Sequence, residues 1–173
     1  KLAIANRHRI QIDAHSPIEV RVRDSQGNIV GLLNGEAVAD IPNGAYDQKS
    51  ERAVIFFPND TYTYQVVGDD TGGTYGLDVN TVDGNNTTSF EAENIPIVTD
   101  EIHTYSIDQQ KLEKNDPDAV TIKIDTNGDG VVERIIQTGN DLSSIHPYDF
   151  YFKRPLIDNG AYKTSKELPI KIR

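Results

Sequence analysis

The residues whose types and spacing carry the most specific chemistry lie in one stretch, Asp125-Thr126-Asn127-Gly128-Asp129-Gly130-Val131-Val132-Glu133. Oxygen-bearing side chains stand at its first, third and fifth positions, a glycine at its sixth and a carboxylate at its ninth. A chain curling around a hard cation turns every second side chain inward, and glycine permits the sharp bend. The spacing therefore suits Ca2+, which takes about six to eight oxygen ligands. The predicted ligands are the side chains of Asp125, Asn127, Asp129 and Glu133, with the backbone carbonyl of Val131. An EF-hand would place a bidentate glutamate at the twelfth position. Here that position is Ile136, so the remaining ligands come from elsewhere, water included, or the site is weak. The competing reading is that Asn-Gly and Asp-Gly are only hairpin turn residues, since both favour the primed turns. A bare two-residue turn would not need Asp125 and Asn127 in register with Asp129, and that favours the ion.

Other chemistry-bearing residues are less organised. Asp69-Asp70 and Asp83-Gly84-Asn85-Asn86 offer oxygens for a second ion but lack the alternation, and read as solvated loops. His8, His15, His103 and His146 follow no metal-ligand spacing and read as surface or strand residues. Asn59-Asp60-Thr61 and Asn86-Thr87-Thr88 match the short glycosylation acceptor pattern. There is no Gly-x-Ser-x-Gly elbow, phosphate-binding glycine loop or His-Glu-x-x-His. The expectation is thus a non-catalytic protein. A hydrolase remains as an alternative, because two catalytic carboxylates can lie far apart in a chain.

The elements that would position the calcium loop are strands. Val120-Thr121-Ile122-Lys123-Ile124 before it and residues 131–136 after it alternate apolar and polar, which argues against a helix-loop-helix sensor and for a hairpin. Ile18-Glu19-Val20-Arg21-Val22-Arg23 alternates most clearly, and Asp24-Ser25-Gln26-Gly27-Asn28 then turns the chain into Ile29-Val30-Gly31-Leu32-Leu33. Further strands are predicted at residues 53–57, 61–67, 74–79, 89–93 and 104–107, separated by turn chemistry at the spacing of a sandwich. Only residues 108–114 could be helical, and Pro117 limits their extension.

Composition narrows the functional classes. Seventeen Lys and Arg against 27 Asp and Glu leave a formal charge of −10, so nucleic acid and anionic membrane surfaces are poor partners. The chain has no cysteine, which excludes zinc-thiolate sites and cysteine nucleophiles. No apolar run approaches the roughly 18 residues of a membrane span, and Lys1-Leu2-Ala3-Ile4 lacks the layout of a signal peptide. A start without Met reads as an excised or processed piece. Beyond residue 139 the character changes: a polar linker, the aromatic run Tyr148-Asp149-Phe150-Tyr151-Phe152, and Leu168-Pro169-Ile170-Lys171-Ile172-Arg173, which opens a strand without a successor.

Several of these motifs resemble known modules. Ser16-Pro17 leading into the Ile18 strand and the Asp24 turn, Ile41-Pro42-Asn43-Gly44-Ala45-Tyr46, Ala53-Val54-Ile55-Phe56-Phe57-Pro58, and Asp60 to Gly68 with Gly73-Thr74-Tyr75-Gly76-Leu77 resemble the pre-peptidase C-terminal-like β-sandwiches of large bacterial and archaeal extracellular proteins, over roughly residues 16–139. The Asp125 loop is similar to calcium hairpins and dockerin-type loops of such proteins. Pro155-Leu156-Ile157-Asp158-Asn159-Gly160-Ala161-Tyr162-Lys163 with the Leu168 strand resembles the opening of a bacterial Ig-like repeat. The resemblance implies an accessory or spacer role in a secreted or cell-surface protein, with neighbouring domains of that protein as partners.

The expected architecture is all-β: an antiparallel β-sandwich, jelly-roll or Ig-like, with a calcium-binding β-hairpin loop, over residues 1–139. Residues 140–173 would form a linker and the first strand of a following Ig-like module. The alternative role is a carbohydrate-binding or adhesion module contacting cell-surface polysaccharide, with Tyr148 or Tyr151 as stacking platform. Neither nucleic-acid binding nor membrane insertion is expected.

Overall fold

A computed structural model of the 173-residue chain describes residues 7–138. Twelve strands and one helical turn make up these residues: β1 (His8–His15), β2 (Ile18–Arg23), β3 (Ile29–Leu33), β4 (Glu36–Ala39), β5 (Gly44–Asp47), β6 (Arg52–Phe56), β7 (Thr63–Gly68), β8 (Gly73–Asp83), β9 (Asn86–Ile97), β10 (Ile102–Ile107), α1 (Gln109–Leu112), β11 (Val120–Asp125) and β12 (Arg134–Thr138). They form two antiparallel sheets, ordered β5-β6-β1-β8-β9 and β12-β11-β10-β7-β2-β3-β4. The expected antiparallel β-sandwich is what the described residues adopt. No helix among them is long and apolar enough to cross a membrane.

Alternation in sequence becomes rows of side chains in space, because successive strand residues face opposite sides of a sheet. In the seven-stranded sheet one inner row runs Val30, Val22, Tyr64, Tyr105, Ile122, Ile136, each directly opposite the next. In the five-stranded sheet the matching row is Tyr46, Ala53, Ile12, Val79, Phe90. The rows meet where the rings of Phe90 and Tyr105 stand 5.8 Å apart and tilted by 53°, a geometry that aromatic pairs favour. Burial of these residues supplies most of the driving force for closing the sheets on each other.

Local chemistry sets the turns. The Asp24 carboxylate accepts the N–H groups of Gln26 and Asn28 at 2.9 and 2.8 Å, tying the β2–β3 reversal. Pro96 lies in β9, an edge strand, where a missing N–H costs the ladder little. The helical turn is a single one: the Asp108 carboxylate caps it by accepting from Gln110 and Lys111 N–H.

Several sequence expectations need correction. β1, β4 and β5 were absent from the predicted strands. His8-Arg9-Ile10-Gln11-Ile12-Asp13 does alternate, whereas β4 and β5 are four residues each with none fully buried, so they carry almost no apolar signal. β8 and β9 run eleven and twelve residues, far past the predicted 74–79 and 89–93, because pairing through Thr81–Thr88 and Asp83–Asn86 continues where the side chains are polar. The strand expected at residues 131–136 begins instead at Arg134. Register explains it: Ile136 must oppose Ile122 to reach the core, which leaves Val131, Val132 and Glu133 in the loop. Tyr148, Tyr151, the linker and the Leu168 strand lie outside the described residues.

Candidate metal centre

The loop of residues 125–133 joins the last two strands of the seven-stranded sheet. β11 pairs with β10 as far as Ile102 opposite Asp125, and the Glu133 N–H donates to the Ile124 carbonyl at 3.0 Å to close the loop's base. Its bends fall at Gly128 and Gly130, with φ of +71° and +88°. A Cβ at Gly128 would lie 2.7 Å from the Asp100 carbonyl oxygen, so glycine is needed there for conformation and for close approach.

Asp125 is the anchor. Only 7% exposed, its carboxylate accepts the N–H groups of Gly128 at 2.7 Å, Gly130 at 2.8 Å and Asn127 at 3.3 Å. Each carboxylate oxygen has two lone pairs, so these bonds shape the loop and still leave acceptor capacity. Asp129 and Glu133 are exposed. One carboxylate oxygen from each of Asp125, Asp129 and Glu133 lies within 4.8 Å of the other two, the one such gathering among the described residues. Three negative charges this close repel by about 1 kcal/mol per pair even in bulk water, an arrangement that a divalent cation would relieve.

The remaining two sequence-assigned ligands are placed differently. Asn127 donates from Nδ2 to Asp129 Oδ2 at 3.0 Å, while its Oδ1 accepts the Asp129 N–H at 3.2 Å. Coordination through Oδ1 requires this amide to turn. The Val131 N–H donates to Asp129 Oδ1 at 2.8 Å, and the residue is 59% exposed. Glu133 bends back so that Oε2 accepts the Thr126 N–H at 2.7 Å. The candidate ligand atoms are all oxygens, which suits a hard ion and offers nothing to a thiophilic one.

The other acidic loops carry no such gathering. Asp69 accepts from the Thr71 hydroxyl and N–H at 2.6 and 2.8 Å and from the Gly72 N–H at 3.1 Å, and the Thr71 hydroxyl bond holds its carboxyl below the usual range. That is turn chemistry. Asp83 and Asn86 pair across the β8–β9 hairpin, with Gly84 at φ +64°.

Sequence reasoning missed a polar cluster in the core behind the loop. His103 is fully buried, its Nδ1 2.8 Å from the Tyr75 hydroxyl, which in turn bonds the Tyr105 hydroxyl. His103 Nε2 stands 3.6 Å from Glu101 Oε1, and Glu101 Oε2 accepts the Val98 N–H at 3.0 Å. The signal was present: Glu101, His103 and Tyr105 alternate, and alternation puts them on one face. Glu101 follows Asp100, the residue against which Gly128 packs, so core and loop adjoin.

No protein-family model, curated protein or solved structure matches this chain.

Proposed function

We propose that this chain is a non-catalytic structural or spacer module of a secreted or cell-surface multidomain protein, stabilised by one calcium ion. The observation that carries the reading is the convergence of Asp125, Asp129 and Glu133 within 4.8 Å in a loop held at both ends by sheet strands. Asp125, Asn127 and Asp129 supply side-chain oxygens, Val131 its carbonyl and Glu133 a further carboxylate, with water completing the shell. The ion neutralises the three carboxylates and ties β11 to β12, the strand from which the chain continues toward residues 139–173 and the neighbouring domains. An ion that binds the folded form alone stabilises it by mass action. The lack of a twelfth-position glutamate fits an affinity in the range of extracellular modules, about 10−4 to 10−3 M, where free calcium is itself millimolar.

The test is titration calorimetry with calcium and with magnesium, together with melting in chelator. One calcium site is expected, with magnesium competing poorly because it demands shorter bonds and near-octahedral geometry. No heat at millimolar calcium, with an unchanged melting temperature in chelator, would reduce the loop to a turn and remove the calcium from this function.

A further inference from the structure

At one end of the sandwich the inner face of the five-stranded sheet continues past the core. His8 stands opposite Asp83 and Ile10 opposite Thr81. Phe57 follows β6, its N–H donating to the His8 carbonyl at 2.8 Å. A cleft of about 380 Å3 opens here, lined by His8, Phe57, Pro58, Thr81, Val82 and Asp83. Its volume falls in the range of small-molecule sites.

Three independent features mark the cleft. Phe57 is 46% exposed and has a φ of +53°; a bulky residue seldom occupies the left-handed region, and such strain gathers where a ligand is held. The His8 ring lies 6.3 Å from that of Phe57 with 23° between their planes, and its Nδ1 is 2.8 Å from Asp83 Oδ1. Two flat rings therefore stand beside a carboxylate. The third feature is Thr81, whose Oγ1 is shielded from solvent and has no hydrogen-bond partner among the described residues. Buried polar groups are normally paired.

We propose that this cleft binds a pyranose ring of a glycan. A pyranose carries an apolar C–H face, which lies on Phe57 and His8, and hydroxyls on its rim, which donate to the Asp83 carboxylate. Thr81 lines the same cleft, and its unpaired hydroxyl would turn toward the sugar to find a partner. A phosphorylated or other anionic ligand is opposed by Asp83 and by the net charge of −10. A wholly apolar ligand would bury the Asp83 carboxylate with only His8 to pair it and would leave the Thr81 hydroxyl unsatisfied, which is costly. The site shares no residue with the calcium loop, so sugar binding is independent of the ion.

The experiment is amide NMR of the full chain, titrated with millimolar methyl glycosides of glucose, galactose, mannose and N-acetylglucosamine, in calcium and again in chelator. At least one glycoside is expected to shift the amides of His8, Phe57, Thr81 and Asp83 in both buffers. Phe57→Gly is expected to weaken binding about tenfold or more without lowering the melting temperature, because glycine adopts the same φ without strain. Thr81→Val, of the same shape, is expected to weaken it several-fold. Absence of shifts at these four amides with every glycoside overturns the proposal, as does undiminished affinity in both variants.

Discussion

Comparing Asp125→Ala with Asp129→Asn separates what the loop's carboxylates do for the fold from what they do for an ion. Asp125 is 7% exposed and accepts three backbone N–H groups at 2.7, 2.8 and 3.3 Å. A fully buried set of such bonds would be worth several kcal/mol, but Asn127, Gly128 and Gly130 are themselves exposed and water replaces much of the loss. The expected cost of Asp125→Ala in chelator is about 1–2 kcal/mol. Asp129 is exposed, and asparagine keeps an acceptor for the Val131 N–H, so Asp129→Asn in chelator should stay within about 0.5 kcal/mol of wild type. If the loop holds the ion, calcium at a hundredfold excess over its dissociation constant should stabilise the wild type by about 2.7 kcal/mol, or roughly 8–10 °C in melting temperature for a domain of this size. Scanning calorimetry of the three proteins in chelator and in calcium is the assay. Wild type should rise with calcium, Asp129→Asn should start level with it and rise clearly less, because asparagine keeps one ligand oxygen but loses the charge, and Asp125→Ala should start several degrees lower and fail to rise. A full calcium response in Asp129→Asn would refute the shared ion, and an Asp125→Ala protein as stable as wild type in chelator would refute the anchoring role.

Two more outcomes follow from the core. Gly31 has a φ of +142°, and a Cβ there would lie 2.1 Å from the Val20 carbonyl oxygen, whereas Gly27 at φ +86° has open space around it. In urea unfolding Gly31→Ala should cost at least about 3 kcal/mol and Gly27→Ala about 1 kcal/mol; equal costs would contradict the packing of β3 on β2. The phenols of Tyr64, Tyr75 and Tyr105 are pushed above their ordinary value, in each case chiefly by burial. Raised folded values mean that this stability is intact below about pH 10 and is lost as pH climbs past it, at about 4 kcal/mol per pH unit for three groups. Phenolate absorbance should report these three only together with loss of the far-ultraviolet β signal. Their ionisation in a folded chain would disprove their burial.

The residue order by itself determined the class of fold and the address of the candidate metal site. Strand alternation survives any tertiary arrangement, because an apolar stripe of that period can be buried only by a sheet, and residues 18–23 and 120–124 became strands with their aliphatics inward. The candidate metal loop was legible because its oxygen-bearing side chains are neighbours in the chain, so local geometry is enough to bring them together. Tertiary structure decided the rest. Where β12 starts was set by the need of Ile136 to face Ile122 across the sheet, not by the alternation of residues 131–136. That Asp125 would be buried depended on the loop folding over it against Asp100, some two dozen residues earlier in the chain. The His103 cluster and the Phe57 cleft draw on residues of β1, β8 and β10 and of the segments just after β6 and just before β10, whose adjacency exists only after the sheets have paired. A sequence displays the interactions between residues close along the chain; those between distant ones depend on register and sheet order, which the collective burial of the core selects.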